Sequence, residues 1–276
     1  MSMVDVALER AYLPSLSIPK TDAIFESWNA RAAATRAKLP FKADIAYGTH
    51  PREILDFYPV GNAKGCLVFI HGGYWSGFSK VETSWVAKGF VGQGISVALI
   101  NYPLCPEVTI DQIRISCTKA FGHLYKHVLN DAERQSIVVS GHSAGGYLAA
   151  AQLTEDWAAH GLPAYPIAGV ISHSGVFDVA PLIKTSLNAE LRLDEAQAKA
   201  VNLNAKQPRV NAKLVFAVGQ QESAEFHHQS AEFAKSWAAL SPQVIDVAGA
   251  NHFTIVDDLA APGEALNRLA VSMAGR

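Results

Sequence analysis

Short apolar runs recur along the chain from residue 66 onward, and segments with helical spacing separate them. Continuous apolar runs of this length are typical of parallel strands that are covered on both faces. The predicted strands are residues 66–70, 96–100, 136–140, 167–172, 213–218 and 243–247. The predicted helices between them are residues 80–93, 109–129, 143–155, 225–240 and 259–273. This alternation predicts an α/β fold in which helices cover both faces of a mostly parallel central sheet, giving a three-layer sandwich.

The chain before residue 66 has a different pattern. Residues 43–47 and 54–58 alternate polar and apolar positions around turn residues, which predicts an antiparallel pair at one edge of the sheet. Residues 1–40 are interpreted as an N-terminal extension with a helix around residues 22–38, and no motif in it indicates a function.

Residues 41–276 are expected to form a single domain, because an α/β domain can use a chain of this length. One segment interrupts the alternation of strands and helices. Residues 179–206 are polar and partly helical and lie between two predicted core strands. This segment is either a small cap over a site or a surface excursion without a role in chemistry.

The overall composition narrows the classes of partner. Apolar residues make up 49% of the chain and charged residues 17%, which fits a globular domain with a sizeable core. A formal net charge of −2 gives no support for a nucleic-acid partner or an anionic membrane, and no apolar stretch is long enough to span a bilayer. We therefore expect a small-molecule substrate, no nucleic acid and no membrane, and the sequence leaves a homodimer open.

The cysteines and the N-terminus bear on the compartment. The three cysteines, Cys66, Cys105 and Cys117, are an odd number without paired spacing, and they lie in or next to predicted core segments. Buried free thiols in a cytoplasmic protein are the expected state. The first ten residues carry acidic side chains and lack a basic start followed by an apolar run, so no secretory signal is expected.

A candidate nucleophile lies where a predicted strand meets a predicted helix. Ser143 is the central residue of Gly141-His142-Ser143-Ala144-Gly145, a G-x-S-x-G pattern between the strand 136–140 and a small-residue helix. This pattern in this context predicts a nucleophile elbow, in which the glycines make room for a tight turn and the serine is held in a strained conformation. The Ser143 hydroxyl would then lie beside the free N–H groups at the start of a helix.

A serine nucleophile needs a base and an acid, because a free hydroxyl is a poor nucleophile near neutral pH. His252 follows the last predicted strand and is the histidine that occupies the expected position at the carboxyl edge of the sheet. Glu222 lies in the loop after the strand 213–218 and would orient the imidazole. Three other carboxylates remain candidates for the acid: Asp178, Asp257 and Asp258.

Backbone donors for a tetrahedral oxyanion are predicted from a second glycine pair. Gly72 and Gly73 immediately follow the strand 66–70, and their N–H groups, together with that of Ala144, would form an oxyanion hole. His71 is expected to hold this loop by hydrogen bonding. Neither a metal nor a cofactor is expected, because the adjacent pair His227-His228 would point about 100° apart on a helix and no metal-binding motif accompanies it.

Four short runs carry a resemblance to a known family. The runs are His71-Gly72-Gly73-Tyr74-Trp75, Gly141-His142-Ser143-Ala144-Gly145, Glu222-Ser223-Ala224-Glu225-Phe226 and Asn251-His252-Phe253. With these runs the chain resembles the α/β-hydrolase fold and, within it, the kynurenine formamidase (arylformamidase) group, from about residue 43 to the C-terminus. One residue departs from the family pattern, since the acid is commonly Asp and is Glu222 here.

The resemblance implies a serine hydrolase of a small aromatic amide. The implied reaction converts N-formyl-L-kynurenine to kynurenine and formate through an acyl-enzyme, a step of tryptophan catabolism. Five aromatic residues near the predicted site are candidates to hold the aromatic ring, although apolar core is the ordinary role of each: Tyr74, Trp75, Tyr102, Phe177 and Phe253.

Two alternatives accompany this interpretation. Related bacterial esterases and amidases share the H-G-G-x-W loop, so a carboxylesterase or another aromatic-amide hydrolase would use the same Ser-His-acid groups. A binding protein that has lost turnover on this scaffold is a third class. The presence of Ser143, His252, an acid candidate and both loop glycines argues against it.

Overall fold

The central sheet of the protein has eight strands. In the computed structural model, which describes residues 4–275, they are β1 (Lys42–Ala46), β2 (Ile54–Tyr58), β3 (Cys66–Ile70), β4 (Ser96–Ile100), β5 (Ile137–His142), β6 (Gly169–His173), β7 (Lys213–Gly219) and β8 (Gln243–Val247). Their order across the sheet is β1-β2-β4-β3-β5-β6-β7-β8. Strand β2 is antiparallel to both β1 and β4, and all other neighbouring strands are parallel. The prediction of a mostly parallel sheet with an antiparallel pair at one edge is confirmed.

Eleven α-helices surround the sheet in the described part of the chain. They are α1 (Val6–Tyr12), α2 (Thr21–Lys38), α3 (Lys88–Val91), α4 (Ile110–His123), α5 (Asp131–Gln135), α6 (Ala144–Ala151), α7 (Asn188–Leu191), α8 (Glu195–Val201), α9 (Ala224–Ser236), α10 (Ile255–Ala260) and α11 (Ala265–Ala274). Core side chains of α1, α4, α6 and α9 pack together on one face of the sheet, whereas those of α2, α3, α10 and α11 pack on the other.

Strand β3 shows why both faces are apolar. Val68 and Ile70 join the core on the α6 face, and Leu67 and Phe69 join the core on the α2 face. Successive side chains of a strand point to opposite faces, so a strand that is buried on both sides needs a continuous apolar run. The predicted three-layer arrangement is therefore confirmed.

Two helix predictions differ from the structure. Residues 80–93 are helical only from residue 84, as a 3-10 turn (Ser84–Ala87) followed by α3. The single helix predicted at residues 259–273 is wrong, because α10 and α11 are separate helices. Pro262 lacks a backbone donor and Gly263 has a φ of 95°, so the apolar periodicity continues through a segment that cannot be helical.

The N-terminal extension contains a helix that the sequence did not predict. Helix α1 packs beside α9 on one face of the sheet, and α2 packs on the opposite face. Residues 13–20 therefore connect the two faces of the sheet. Residues 1–3 of the predicted extension and residue 276 lie outside the described residues.

The segment at 179–206 consists of 3-10 turns (Ala180–Lys184 and Leu203–Ala205) that flank α7 and α8. Its first turn contacts α1. The three cysteines are buried and free. Within residues 4–275, the structure contains no helix with the length and apolar character needed to cross a membrane.

Candidate active site

Ser143 occupies a sharp turn between β5 and α6. Its backbone has a φ of 55° and a ψ of −120°, a conformation that L residues rarely adopt, and its N–H donates to the carbonyl oxygen of His173 at 2.7 Å. Such a conformation costs about 1–3 kcal/mol and persists only where the surroundings enforce it. The serine side chain faces a cavity of about 410 Å³.

The glycines of the turn are required by close backbone contacts. A Cβ at Gly141 would lie 2.0 Å from the carbonyl oxygen of Gly145, and a Cβ at Gly145 would lie 2.1 Å from that of Ile70. Both distances are far below van der Waals contact. The start of α6 therefore lies directly against β3, and this contact fixes where Ser143 points.

His252 is held by a buried carboxylate. Its Nδ1 lies 2.7 Å from Oε2 of Glu222, and the two side chains are 3% and 0% exposed. The other carboxylate oxygen, Oε1, accepts hydrogen bonds from the Gly219 N–H at 2.7 Å and the Ser174 hydroxyl at 2.6 Å. With Nδ1–H directed at Glu222, the neutral ring keeps Nε2 free to accept a proton. His252 lines the same cavity as Ser143.

The other candidate acids have different partners. Asp178 accepts from the N–H of Ala180 within its own loop, and Asp257 pairs with Arg31 at 2.6 Å. Asp258 accepts from the N–H of Leu266 at 2.7 Å and links α10 to α11. Of the four carboxylates considered from the sequence, the structure brings Glu222 to His252.

His142, the variable residue of the elbow, holds the main chain of the loop that carries His252. Its Nε2 donates to the carbonyl oxygen of His252 at 2.6 Å. Burial lowers the pKa of His142 well below its ordinary value, and the neighbouring His252 lowers it further. The ring therefore stays neutral, and Trp28 of α2 packs edge-on against it.

The loop after β3 lies against the elbow. A Cβ at Gly72 would come within 2.8 Å of the His142 carbonyl oxygen and 3.2 Å of Ser143 Cβ. Gly73 has a φ of 97° and lines the cavity. Ala144 begins α6, where N–H groups have no carbonyl partner within the helix. Of the three residues predicted to supply oxyanion donors, Gly72 and Ala144 therefore lie beside Ser143, and Gly73 lines the same cavity.

Buried groups fix the orientation of this loop. The Nδ1–H of His71 donates to the Gly72 carbonyl oxygen at 2.8 Å, and the Tyr102 hydroxyl lies 2.8 Å from the His71 carbonyl oxygen and 3.1 Å from that of Gly72. In a trans peptide the C=O of Gly72 and the N–H of Gly73 point in opposite directions, so these bonds also orient the Gly73 donor. Burial lowers the pKa of His71 to about 3, and the ring is stacked on Tyr102 with centroids 4.2 Å apart.

The structure separates the five aromatic candidates into two groups. Tyr74 and Phe253 line the cavity. Trp75, Tyr102 and Phe177 do not, which corrects the expectation that they hold a substrate ring.

Each of the three lies in the core for a physical reason. Trp75 follows two residues with positive φ, which turns its side chain inward against Tyr147. Phe177 stacks on Phe233 with ring centroids 4.1 Å apart, and Tyr102 supports the loop described above.

Several residues that line the cavity were not predicted. The N-terminal extension contributes Leu13, Pro14, Ser15 and Phe25, while Phe78 and Leu187 complete the apolar wall. Phe25 and Trp28 are three residues apart, so a helix places them on one apolar face, but this spacing does not indicate what the face covers. Ser174 directly follows β6 and therefore lies at the carboxyl edge of the sheet. This position is the feature of the sequence that could have predicted a residue near Glu222.

Residues 4–275 hold no group of three or more His, Cys, Asp or Glu side chains arranged to bind a metal ion. The chemical groups at the cavity are a hydroxyl on a strained turn, an imidazole oriented by a carboxylate, and backbone donors at a helix start. This arrangement suits acyl transfer.

Comparisons with known proteins agree with this geometry. A family model of the alpha/beta hydrolase fold matches residues 67–268. Kynurenine formamidase from Salmo salar is 29% identical over 84% of this chain and 82% of its own length. Kynurenine formamidase from Danio rerio is 28% identical over 100% of this chain and 98% of its own length.

One solved structure is also similar over nearly its whole length. It is named a "putative thioesterase" from Silicibacter sp. TM1040, has a TM-score of 0.86 and 30% identity, and the match covers 98% of this chain and 99% of that one. The family match spans well over half of the chain. This protein is therefore a hydrolase and belongs to the alpha/beta hydrolase fold family.

Proposed function

We propose that the protein is an arylformamidase that hydrolyses N-formyl-L-kynurenine to kynurenine and formate through a formyl-enzyme on Ser143. The observation that carries the proposal is the shared cavity: Ser143 and His252 open onto one pocket lined by Tyr74, Phe78 and Phe253. The two kynurenine formamidases from fish, which are similar over most or all of this chain, support the choice of substrate.

In the first half-reaction Ser143 Oγ attacks the formyl carbon and His252 Nε2 takes the hydroxyl proton. The Glu222 carboxylate keeps the imidazole in the correct tautomer and stabilises the imidazolium. His252 then donates this proton to the aryl nitrogen as the C–N bond breaks. Without that proton an aryl amine would leave as an unstable anion, so general-acid catalysis is required for amide cleavage.

In the second half-reaction water attacks the formyl ester of Ser143 and His252 accepts a proton from it. Collapse of the tetrahedral intermediate returns the proton to Ser143 Oγ and releases formic acid, which loses its remaining proton to solvent and becomes formate. In both halves the N–H groups of Gly72, Gly73 and Ala144 would stabilise the oxyanion. One such donor is worth about 3–4 kcal/mol in the transition state.

The test is turnover of N-formyl-L-kynurenine by purified protein, followed as formate and kynurenine release. We expect equal amounts of the two products. Ser143→Ala should lower kcat by at least about 10³-fold. No release above the Ser143→Ala background would reject the arylformamidase assignment.

A carboxylesterase is the second candidate, and the apolar cavity favours it because a neutral ester would also fit there. Aryl and short-chain alkyl esters compared with formyl anilides separate the two functions. Turnover of esters alone would identify an esterase. A fluorophosphonate probe that fails to label Ser143, together with no turnover of any substrate, would instead identify a binding protein.

A further inference from the structure

We infer that this site binds the uncharged aryl formamide part of its substrate and gains no affinity from a charged amino-acid group. The N-terminal extension forms part of the cavity wall that contacts the aryl group. The inference rests on the proposed function for its formamide chemistry. The discrimination against charge is a property of the cavity and is tested separately below.

The cavity wall carries no Lys, Arg, Asp or Glu side chain among the described residues. Glu222 lies behind His252, and its oxygens are already used by His252, Ser174 and Gly219. An α-carboxylate inside the cavity would therefore lack a cationic partner, and an α-ammonium would lack an anionic one.

Apart from His252 Nε2 and the backbone N–H groups, which the proposed reaction itself uses, the polar groups that line the cavity are two engaged side chains and a few hydroxyls. The Tyr74 hydroxyl donates to the carbonyl oxygen of Tyr12, and His142 Nε2 donates to the carbonyl oxygen of His252. The remaining hydroxyls are those of Ser15, Ser76 and the nucleophile itself. Hydroxyl groups cannot offset the loss of solvation of a full charge.

Three phenyl rings at the cavity suit an aromatic leaving group. Phe25 meets Phe78 and Phe253 edge-to-face, with ring centroids 5.2 Å and 5.0 Å apart. All three line the cavity that contains Ser143. Aromatic rings in such a cluster gain from edge-to-face contact with a bound ring, beyond the burial of apolar surface.

The N-terminal part of this wall is hydrogen-bonded to the start of α9 at Ser223 and to Gln229 within α9. The Ser223 hydroxyl donates to the carbonyl oxygen of Ala11 at 2.6 Å, and the Gln229 amide donates to the Tyr12 hydroxyl at 2.9 Å. Leu13 and Pro14, which follow directly, line the cavity. The extension is therefore a fixed wall of the site.

N-formyl-L-kynurenine carries an α-ammonium and an α-carboxylate on the substituent of its ring. These charges would have to stay in solvent at the cavity mouth, while the ring and the formamide enter. A substrate that lacks them should bind and react at least as well.

The first experiment compares N-formyl-L-kynurenine with 2-formamidoacetophenone, which keeps the ring, the ketone and the formamide and replaces the amino-acid end by hydrogen. We expect kcat/KM for the acetophenone to equal or exceed that for N-formyl-L-kynurenine. A preference for N-formyl-L-kynurenine of more than about 10-fold would overturn the inference, since it would reveal productive contacts to the charged end.

A matched pair of esters tests the charge discrimination independently of formamide chemistry. O-acetyl-L-tyrosine and 4-methylphenyl acetate differ only in the amino-acid end. Equal or faster cleavage of the neutral ester supports the inference, even if neither formamide is hydrolysed and the proposed function fails. Faster cleavage of O-acetyl-L-tyrosine contradicts it.

The role of the N-terminal wall is tested with Phe25→Ala, and Phe41→Ala is the control. Both phenylalanines are partly buried against the same core cluster, but Phe41 stacks on Tyr58 and does not line the cavity. We expect Phe25→Ala to lower kcat/KM for 2-formamidoacetophenone about 10-fold while ethyl formate changes less than about twofold. Phe41→Ala should leave both values unchanged.

If Phe25→Ala does not fold, as judged by circular dichroism, Phe25→Leu keeps apolar bulk and removes only the ring. Phe25→Leu should also lower the ratio of kcat/KM for 2-formamidoacetophenone to kcat/KM for ethyl formate. An unchanged ratio in the folded variant would show that Phe25 does not contribute to the preference for an aromatic leaving group.

Discussion

Tyr102 is a residue whose hydroxyl can influence catalysis from outside the cavity. It is fully buried, and its hydroxyl is bonded to the carbonyl oxygens that orient the loop carrying Gly72 and Gly73. If the Gly73 N–H stabilises the oxyanion, a small rotation of this peptide reduces the stabilisation of the transition state more than that of the ground state.

We therefore expect Tyr102→Phe to lower kcat about 10-fold with KM changed less than about twofold. The control is Tyr147→Phe, because the Tyr147 hydroxyl also donates to a buried carbonyl oxygen, that of Val201, at 2.7 Å. Both variants should lose about 1 kcal/mol of stability, and only Tyr102→Phe should lose kcat. Equal kcat values for the two variants would show that Tyr102 has only a structural role.

The sequence was informative for residues whose positions follow from strand order. Ser143, Glu222 and His252 each lie in the connection that follows a parallel strand, so all three are placed at the same edge of the sheet. The direction of Trp75 depends instead on the dihedral angles of the loop, where Gly73, Tyr74 and Trp75 all have positive φ. No periodicity in the sequence encodes such a run, so apolar character alone could not separate core from cavity wall.

At the scale of elements, the contact of α6 with β3 controls the elbow. A methyl group at Gly145 would meet the carbonyl oxygens of Ile70 and His71 at 2.1 Å and 2.5 Å, so α6 would have to move away from β3. We expect Gly145→Ala to cost about 3 kcal/mol of stability and to lower kcat/KM about 10²-fold through the displacement of Ser143.

Gly122→Ala in α4 provides the control for the same chemical change. A Cβ at Gly122 has no neighbour within 4 Å, so the better helix propensity of alanine should raise stability by about 1 kcal/mol without a change in activity. Equilibrium unfolding in urea and kcat/KM for the formamide measure both effects. Full activity in Gly145→Ala would show that the elbow tolerates a shift of α6.

A buried ion network holds α2 on the sheet. Asp56 of β2 has a fully buried side chain that pairs with Arg36 of α2 and, at 2.8 Å, with the nearly buried Lys80. Helix α2 carries Phe25 and Trp28, so this network also supports the cavity wall and the packing around His142.

Asp56→Asn should destabilise the protein by about 3 kcal/mol, because Lys80 would keep only the exposed Asp44 as its partner. Asp131→Asn is the control, since Asp131 is 95% exposed and its pair with Arg134 should contribute less than about 0.5 kcal/mol. Thermal and urea unfolding measure the difference. A small effect for Asp56→Asn would mean that water or a rearranged Arg36 compensates for the lost carboxylate.

Element positions were predictable where a local pattern defines them. The strands follow from apolar runs, and α2 follows from its composition between residues 22 and 38. That α1 and α2 lie on opposite faces depends on contacts between residues far apart in sequence, such as Ser223 with Ala11. Local periodicity contains no information on such pairs, so the part of the extension in the cavity wall could not be foreseen.

At the scale of the whole molecule, three buried histidines around the elbow couple folding to pH. Burial lowers the pKa of both His71 and His173 to about 3, and it lowers the pKa of His142 well below the ordinary value near 6.5. In the unfolded chain these rings would titrate near pH 6.5. The unfolded state therefore binds more protons than the native state between about pH 3 and 6.5, and stability must rise with pH across that window.

Each such histidine contributes about 1.4 kcal/mol per pH unit once the unfolded chain is protonated. The stabilisation is complete above pH 6.5 and is lost as the pH falls toward 3. Carboxylates with lowered pKa values, such as Asp44 and Glu53, act in the same direction, but only near and below their ordinary values of 3.8 and 4.5. Unfolding measured between pH 5 and 6.5 therefore reports mainly on the histidines.

His173→Gln isolates one of these contributions. The His173 Nε2 lies 2.9 Å from the Ser140 hydroxyl, which itself bonds to the Ile171 carbonyl oxygen, and a glutamine amide can donate to Ser140 in the same way. We expect the slope of unfolding free energy against pH to decrease in this variant by about 1.4 kcal/mol per pH unit, which corresponds to one proton. The slope should stay unchanged in the control His228→Gln, because the His228 side chain is exposed. An unchanged slope in His173→Gln would mean that the buried ring accepts a proton in the native state, which would also require a rearrangement of the strands beside Ser143.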